Sequence, residues 1–396
     1  MLCAIDAVGI RGHGGAAVLS ELLEWLPRAR PNWQWHVFLL GRRLREFENI
    51  SPSGHVRFEY THYGNYGASR LLWVNVRLPA RLLAIRADIV FSFANIGARK
   101  PSIPQVVFVQ QANAFLENHS QLSSLKHLRM KFLRSQILAG ARASNAVIVQ
   151  TQAMREGLGK YNDRLYERTH VIPSGYRSHL NVARVRPEIT SLVDRASKPR
   201  LIYVSHPSEH KNHEKLLEAM PGILRVFPKA RLMLTLEKSK PINQRYVKFV
   251  EKMHRMSREL GIEGALVWLG VIDADEVHYV LSSSDLMVFP SLSESFGLGL
   301  VEAMAAGCPI AAADLDYAHN VAEDAAVYFD PLDTSALAEC VIKTLRDQGT
   351  MSRLRRVGMG RRGLYSYEHI SARLADIFES SAGDRSKAVS SRQDKN

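Results

Sequence analysis

Short apolar runs rich in Val, Ile, Leu and Phe alternate along this chain with longer amphipathic stretches, and that alternation leaves few folds open. A strand buried on both faces reads as a nearly continuous apolar run, and parallel neighbours need a helix-sized connection. The pattern therefore predicts parallel sheets covered by helices. In the first half the runs are LCAID, WHVFLL, VRFEY, DIVFSF, QVVFVQ, NAVIVQ and THVIP, with AAVLSELLEWL and QLSSLKHLRMKFLRSQIL among the helical stretches between them. The series restarts at PRLIYVS and continues through ARLMLTL, ALVWLG, DLMVFP, PIAAAD and AVYF. A chain of 396 residues is more than one core usually supports, so the restart predicts two doubly wound α/β domains.

The expected boundaries follow from where the pattern fades. Residues 1–175 read as an N-terminal Rossmann-like domain, 176–198 as a polar, basic linker with weak periodicity, and 199–365 as a second Rossmann-like domain. Residues 366–381 read as a C-terminal helix crossing back to the first domain, and 382–396 as a polar, disordered tail.

Composition removes several classes of protein. Hydrophobic residues at 46% and charged residues at 23% argue for a folded chain. No run of about 20 apolar residues is uninterrupted by charge, which argues against a membrane span. The N-terminus reads as a first strand rather than a signal sequence. Cys3, Cys308 and Cys340 match no metal or disulfide spacing, consistent with a reducing, cytoplasmic setting. Residues 1–150 hold 18 Lys plus Arg against 8 Asp plus Glu, so the first domain is expected to meet something anionic. Nothing in the sequence resembles a nucleic-acid-binding module or an aromatic stacking array, so nucleic acid is not the expected partner.

In open parallel sheets, ligands sit beyond the carboxyl ends of the strands. After DLMVFP the chain runs SLSESFGLG into the helical stretch LVEAMAAG, ended by Gly307. Gly297 and Gly299 allow close backbone approach, and a helix N-terminus presents free N–H groups and a positive dipole end, suited to phosphate. Glu294 precedes this turn and Glu302 follows it, with seven residues between them. Acids beside a phosphate site make chemical sense if they accept hydrogen bonds from neutral vicinal hydroxyls, as on a sugar or ribose. The same spacing also fits a loop acid followed by a first-turn acid that merely favours the helix dipole.

The stretch Pro290–Pro309, with FGL, the two glutamates, EAMAAG and CPI, resembles the donor-site motif of glycosyltransferase family 4, retaining enzymes of the GT-B fold. VIPSGY (171–176) and YVSHPSEHKN (203–212) resemble flanking segments of that family and occur in the family's order. The resemblance implies two Rossmann-like domains facing a cleft. It also implies a hexose moved from a GDP- or UDP-linked donor to a glycan or lipid-linked acceptor, in cell-surface polysaccharide synthesis, with no metal or other cofactor. By that resemblance Glu294 contacts the donor sugar and Glu302 holds the ribose hydroxyls. The backbone around Phe296, Gly297, Leu298 and Gly299 meets the distal phosphate, and Lys211 neutralises the departing diphosphate. His206 stands where many members carry an arginine; a protonated histidine supplies less assured charge there.

In the first domain, GIRGHGGAAVLSELL places Gly12, Gly14 and Gly15 between the first strand and first helix, where the resemblance implies contact with donor phosphates or acceptor. FVQQANAFLEN offers Gln110 and Asn113 as sugar or acceptor contacts, with no side chain that could act as base at that place. The stretch LKHLRMKFLR (125–134) interleaves apolar residues with Lys126, Arg129, Lys131 and Arg134. It fits either an amphipathic helix resting on an anionic membrane, as in a peripheral protein of the inner membrane face, or a helix with one solvated side. Two other enzyme readings remain. A GT-B epimerase or phosphorylase-like enzyme keeps the fold, and an NAD(P)-dependent oxidoreductase would use the G-x-G-x-x-A pattern of Gly12, Gly14 and Ala17. The latter leaves the block around Glu294 and Glu302 unexplained.

Overall fold

The computed structural model describes residues 1–10, 13–41, 55–64, 67–111, 114–115, 124–177, 182–236 and 244–393. The chain divides into two units, Met1–Gly175 with Tyr367–Asn396, and Tyr176–Ser366.

Among the described residues the first unit holds seven parallel strands: β1 (Leu2–Asp6), β2 (Gln34–Leu40), β3 (Val56–Thr61), β4 (Ile89–Ser92), β5 (Gln105–Val109), β6 (Ala146–Val149) and β7 (Thr169–Val171). Their order is β3-β2-β1-β4-β5-β6-β7, so the sheet changes winding direction between β1 and β4. Side chains alternate between faces. On one face Ile5, Val37, Phe91, Phe108 and Ile148 pack against the helices His13–Ala29 and Tyr367–Gln393, with Phe378 4.9 Å from Phe91 between ring centroids. On the other face Ala4, Phe38 and Val90 meet Trp73, Val74, Leu78 and Leu82, while Val107, Val109 and Val147 meet Ile137, Leu138 and Ala141. The helices Gly67–Leu72 and Leu78–Ala84, joined by a π-helical turn, therefore share a layer with the helix Ser124–Arg142.

Among the described residues the second unit holds six parallel strands: β8 (Arg200–Tyr203), β9 (Arg231–Leu234), β10 (Leu266–Trp268), β11 (Leu286–Phe289), β12 (Ile310–Ala313) and β13 (Ala326–Phe329). Their order, β10-β9-β8-β11-β12-β13, reverses between β8 and β11. The chain thus carries the two parallel α/β sheets that its sequence pattern predicts.

Three segments differ from the sequence expectation. Residues 176–198 include a helix, Pro187–Arg195, whose Ile189 and Val193 are buried in the second unit's core. Proline at its start and two apolar residues one turn apart suffice for so short a helix. The Arg186 guanidinium fixes its entry by a bidentate pair with Glu276 (2.6 and 2.8 Å). The C-terminal helix is longer than 366–381 and runs through Gln393, so most of the expected disordered tail is helical. That stretch contains no proline, and Ala382 still packs against the first unit's core. Finally, Gly14 and Gly15 lie inside the first turn of the helix His13–Ala29 rather than in the loop before it.

Candidate active site

The second sheet reverses between β8 and β11, where open parallel sheets take ligands, and the candidate residues lie on the loops after those two strands. After β8 the chain passes through a 3₁₀ turn, Glu209–Lys211, and Asn212 takes a left-handed conformation (φ 57°) before the helix His213–Val226 begins. Asparagine tolerates that region, and its amide also binds across the site, donating to the carbonyls of Pro290 (3.1 Å) and Pro331 (2.8 Å).

Lys211, expected at this place, is nearly buried. Its Nζ donates to Glu294 Oε1 at 2.5 Å, with only 10% and 13% of the two side chains exposed. Eighty-three positions apart in sequence, the two residues meet because β8 and β11 are hydrogen-bonded neighbours. Three further ties hold the loops in register. The buried Tyr203 hydroxyl donates to the Lys211 carbonyl (2.9 Å) and lies 2.8 Å from Ser291 Oγ. The Tyr317 hydroxyl donates to the Ser291 carbonyl (2.7 Å), and Leu292 N–H donates to the His210 carbonyl (2.7 Å).

The helix Leu298–Ala305 follows β11 after a loop that carries Glu294. Gly297 caps it with φ 91°, a left-handed conformation that other residues adopt at a cost. Among the described residues no hydrogen-bond acceptor is found for the amides of Phe296, Gly297, Leu298 or Gly299. They form a row of free donors at a positive helix end. Gly299 is needed for packing as well: a Cβ there would lie 3.0 Å from Phe289 Cε2. The Phe296 side chain is core, 6.0 Å from the Tyr365 ring, so only its backbone serves the site. Glu302 is one turn into this helix and partly buried. Burial pushes its carboxyl up to about 7, against the pull of the Lys211 ammonium.

The histidines divide by environment. His206 is exposed, its ring centroid 6.2 Å from that of His210. His213 is buried; its Nε2 lies 2.8 Å from Ser205 Oγ and its Nδ1 has no partner among the described residues. Burial, followed by the charges of Lys211, His206 and His210, drives its pKa down to about 3, so it is neutral. Tyr203, Ser291, Asn212 and Tyr317 escaped the sequence reading, whereas His210 and His213, crowded beside Lys211, read there as polar loop or helix-start residues.

In the first unit the winding change lies between β1 and β4, and a cavity of about 280 Å³ opens there, lined by Gly9, Ile10, Gly15, Arg70, Asn95 and Gln110 among others. Asp6, fully buried at the end of β1, accepts from Arg70 Nη2 (2.8 Å) and Trp73 Nε1 (3.0 Å), which fixes the guanidinium in the wall. Gln110 is held by its Nε2, which donates to the Phe93 carbonyl (2.8 Å), and by its backbone N–H, which donates to Asn95 Oδ1 (2.6 Å). Neither Asp6 nor Arg70 stood out in the sequence. Asn113 and Gly12 lie outside the described residues.

Two doubly wound parallel sheets, the second with free amides at a helix N-terminus beside its switch point, match the GT-B fold. The family model for Glycosyl transferases group 1 matches residues 188–360, which span the whole of that site. Over those residues the chain resembles this family. It is similar to phosphatidyl-myo-inositol mannosyltransferase of Mycobacterium leprae, 28% identical over 196 residues that make up 49% of each chain. The match thus spans about half the length of that relative. Among solved structures, Anabaena HepE in complex with UDP and glucose superposes with a TM-score of 0.71 at 18% identity, over 96% of this chain and 100% of the other. Sucrose-phosphate synthase from Thermosynechococcus elongatus gives 0.72 at 19% identity, over 96% and 98%.

Proposed function

We propose that the protein is a retaining glycosyltransferase that moves a hexose from a UDP- or GDP-linked donor to a hydroxyl of a glycan or lipid-linked acceptor. The observation that carries this reading is the pairing of Lys211 with Glu294 beside four free amides at a helix N-terminus, with Glu302 one turn behind. Amides and an ammonium supply charge for a diphosphate without competing for the sugar, and the carboxylates supply acceptors for its hydroxyls. Names among the relatives favour the same chemistry: a mannosyltransferase, and a neighbour in fold bound to UDP and glucose.

In this reading the diphosphate lies along residues 296–299 and Lys211 shifts from Glu294 toward it as the glycosidic bond to phosphate breaks. Glu294 then turns to the sugar hydroxyls. The leaving phosphate oxygen takes the acceptor proton on the same face, so the protein need provide no separate base; its residues position the reactants and hold charge. His206, exposed at the rim, adds positive charge when protonated. The first-unit cavity takes the acceptor, with Gln110 Oε1 accepting from a hydroxyl because one N–H of that amide is committed to Phe93. Gly14 and Gly15 bring the first turn of their helix close to the same ligand. The acceptor is placed in cell-surface polysaccharide synthesis, and an anionic membrane is met through residues 125–134.

Steady-state transfer assays test these roles. Lys211→Ala lowers kcat by about 10²-fold or more, as for loss of one preorganised electrostatic stabiliser. Glu302→Ala weakens nucleotide binding, and Glu294→Ala acts chiefly on turnover. Parent-like transfer by all three variants would place the site elsewhere.

A further inference from the structure

The two helical layers of the first unit differ in what they expose. Helices His13–Ala29 and Tyr367–Gln393, on one face of the sheet, expose no large hydrophobic side chain among the described residues. On the opposite face the segments 67–84 and 124–142 expose five: Leu72 (48%), Val76 (57%), Leu83 (57%), Leu128 (65%) and Phe132 (54%). The two helical segments that carry them are tied together by Arg99. Its backbone N–H donates to Asn75 Oδ1 (3.0 Å), and its Nη2 donates to Gln136 Oε1 (2.6 Å).

The charge on these two segments has one sign. Neither 67–84 nor 124–142 contains an Asp or Glu. Arg77, Arg129 and Lys131 are exposed there, while Arg134 is turned aside to Tyr161. A merely solvated helix face ordinarily mixes acids with bases. At about 100° per residue, Leu128 and Phe132 form one ridge, with Lys131 on one side and Arg129 on the other. An apolar ridge flanked by cations is the form of a helix lying in a membrane interface, its apolar atoms among acyl chains and its cations among headgroups.

We propose that these two neighbouring segments, 67–84 and the helix Ser124–Arg142, together form a docking surface for an anionic lipid bilayer. The inference deepens the functional reading by giving its membrane contact a second element, and it commits to lipid because only a surface both apolar and anionic complements what is exposed.

The test is co-sedimentation of the full chain with phosphatidylcholine vesicles, with and without phosphatidylglycerol. Retention on the anionic vesicles, falling as salt is added, is expected. The double variants Val76→Ser with Leu83→Ser, and Leu128→Ser with Phe132→Ser, should each lower the partition constant about tenfold or more. Both pairs are exposed, and unchanged thermal midpoints would show that the fold is intact. Equal retention on phosphatidylcholine alone, parent-like binding by the 76/83 pair, concentration-dependent self-association that masks these residues, or salt-sensitive capture by RNA in place of vesicles would each overturn the proposal. Binding of a nucleotide sugar without vesicles is a separate measurement, so failure here is distinguishable from failure of the functional reading.

Discussion

At the scale of residues, the most informative group is Glu302. Burial raises its carboxyl from the usual carboxylate range to about 7, so near neutrality it is only partly ionised. A group whose folded pKa is raised binds more protons folded than unfolded between about 4.5 and 7, and its ionisation removes stability as pH rises through that window. If ribose hydroxyls donate to the ionised form, nucleotide binding must expel the proton. Affinity for a nucleoside diphosphate should then rise about tenfold between roughly pH 6 and pH 8, as the ionised fraction grows. Calorimetry in buffers of different ionisation enthalpy should show proton release on binding, and Glu302→Gln should abolish both effects. A pH-independent affinity in the parent would remove Glu302 from the nucleotide. His213 acts in the opposite direction: its depressed pKa means that protonation on the acid side, below about 6.5, favours the unfolded chain.

At the scale of elements, the helix Leu298–Ala305 is written at both ends in glycine. Gly307, at φ 67°, closes a Schellman end in which Cys308 N–H donates to Ala303 O (2.9 Å) and Gly307 N–H to Met304 O (3.1 Å). Gly297, at φ 91°, opens it and sets the aim of the amides that follow. Gly297→Ala should cost about 1–2 kcal/mol in thermal unfolding from left-handed strain, and should weaken nucleoside diphosphate binding more than that loss explains, because the donor row turns away. A stability loss with unchanged affinity would show that these amides do not hold phosphate. Both glycines were legible in the sequence because a turn needs them. The ties that position Lys211 were not: Tyr203, Ser291 and Tyr317 are ordinary core or loop residues until the sheet order brings β8 beside β11. The helix Pro187–Arg195 was hidden for a different reason, since two buried side chains in nine residues make too weak a period to stand above a polar background.

At the scale of the whole molecule, the thirteen strands of the described residues were legible because most are short, buried apolar runs, and both sheets reverse their winding where the candidate site residues gather. Less legible were partnerships over long separations. Asp6 with Arg70 and Lys211 with Glu294 are contacts that no local pattern records. The positive charge of the first half was visible in composition, but its concentration with exposed apolar side chains on one helical layer required the sheet faces to be known. No described helix is long and apolar enough to cross a membrane.

The most direct measurement is an experimental structure of the chain soaked with a UDP- or GDP-hexose. The account predicts diphosphate oxygens on the amides of residues 296–299, the Lys211 ammonium turned toward them, and ribose hydroxyls on the Glu302 carboxylate. Nucleotide bound away from the β8–β11 switch point, or with its base and ribose remote from Glu302, would contradict it.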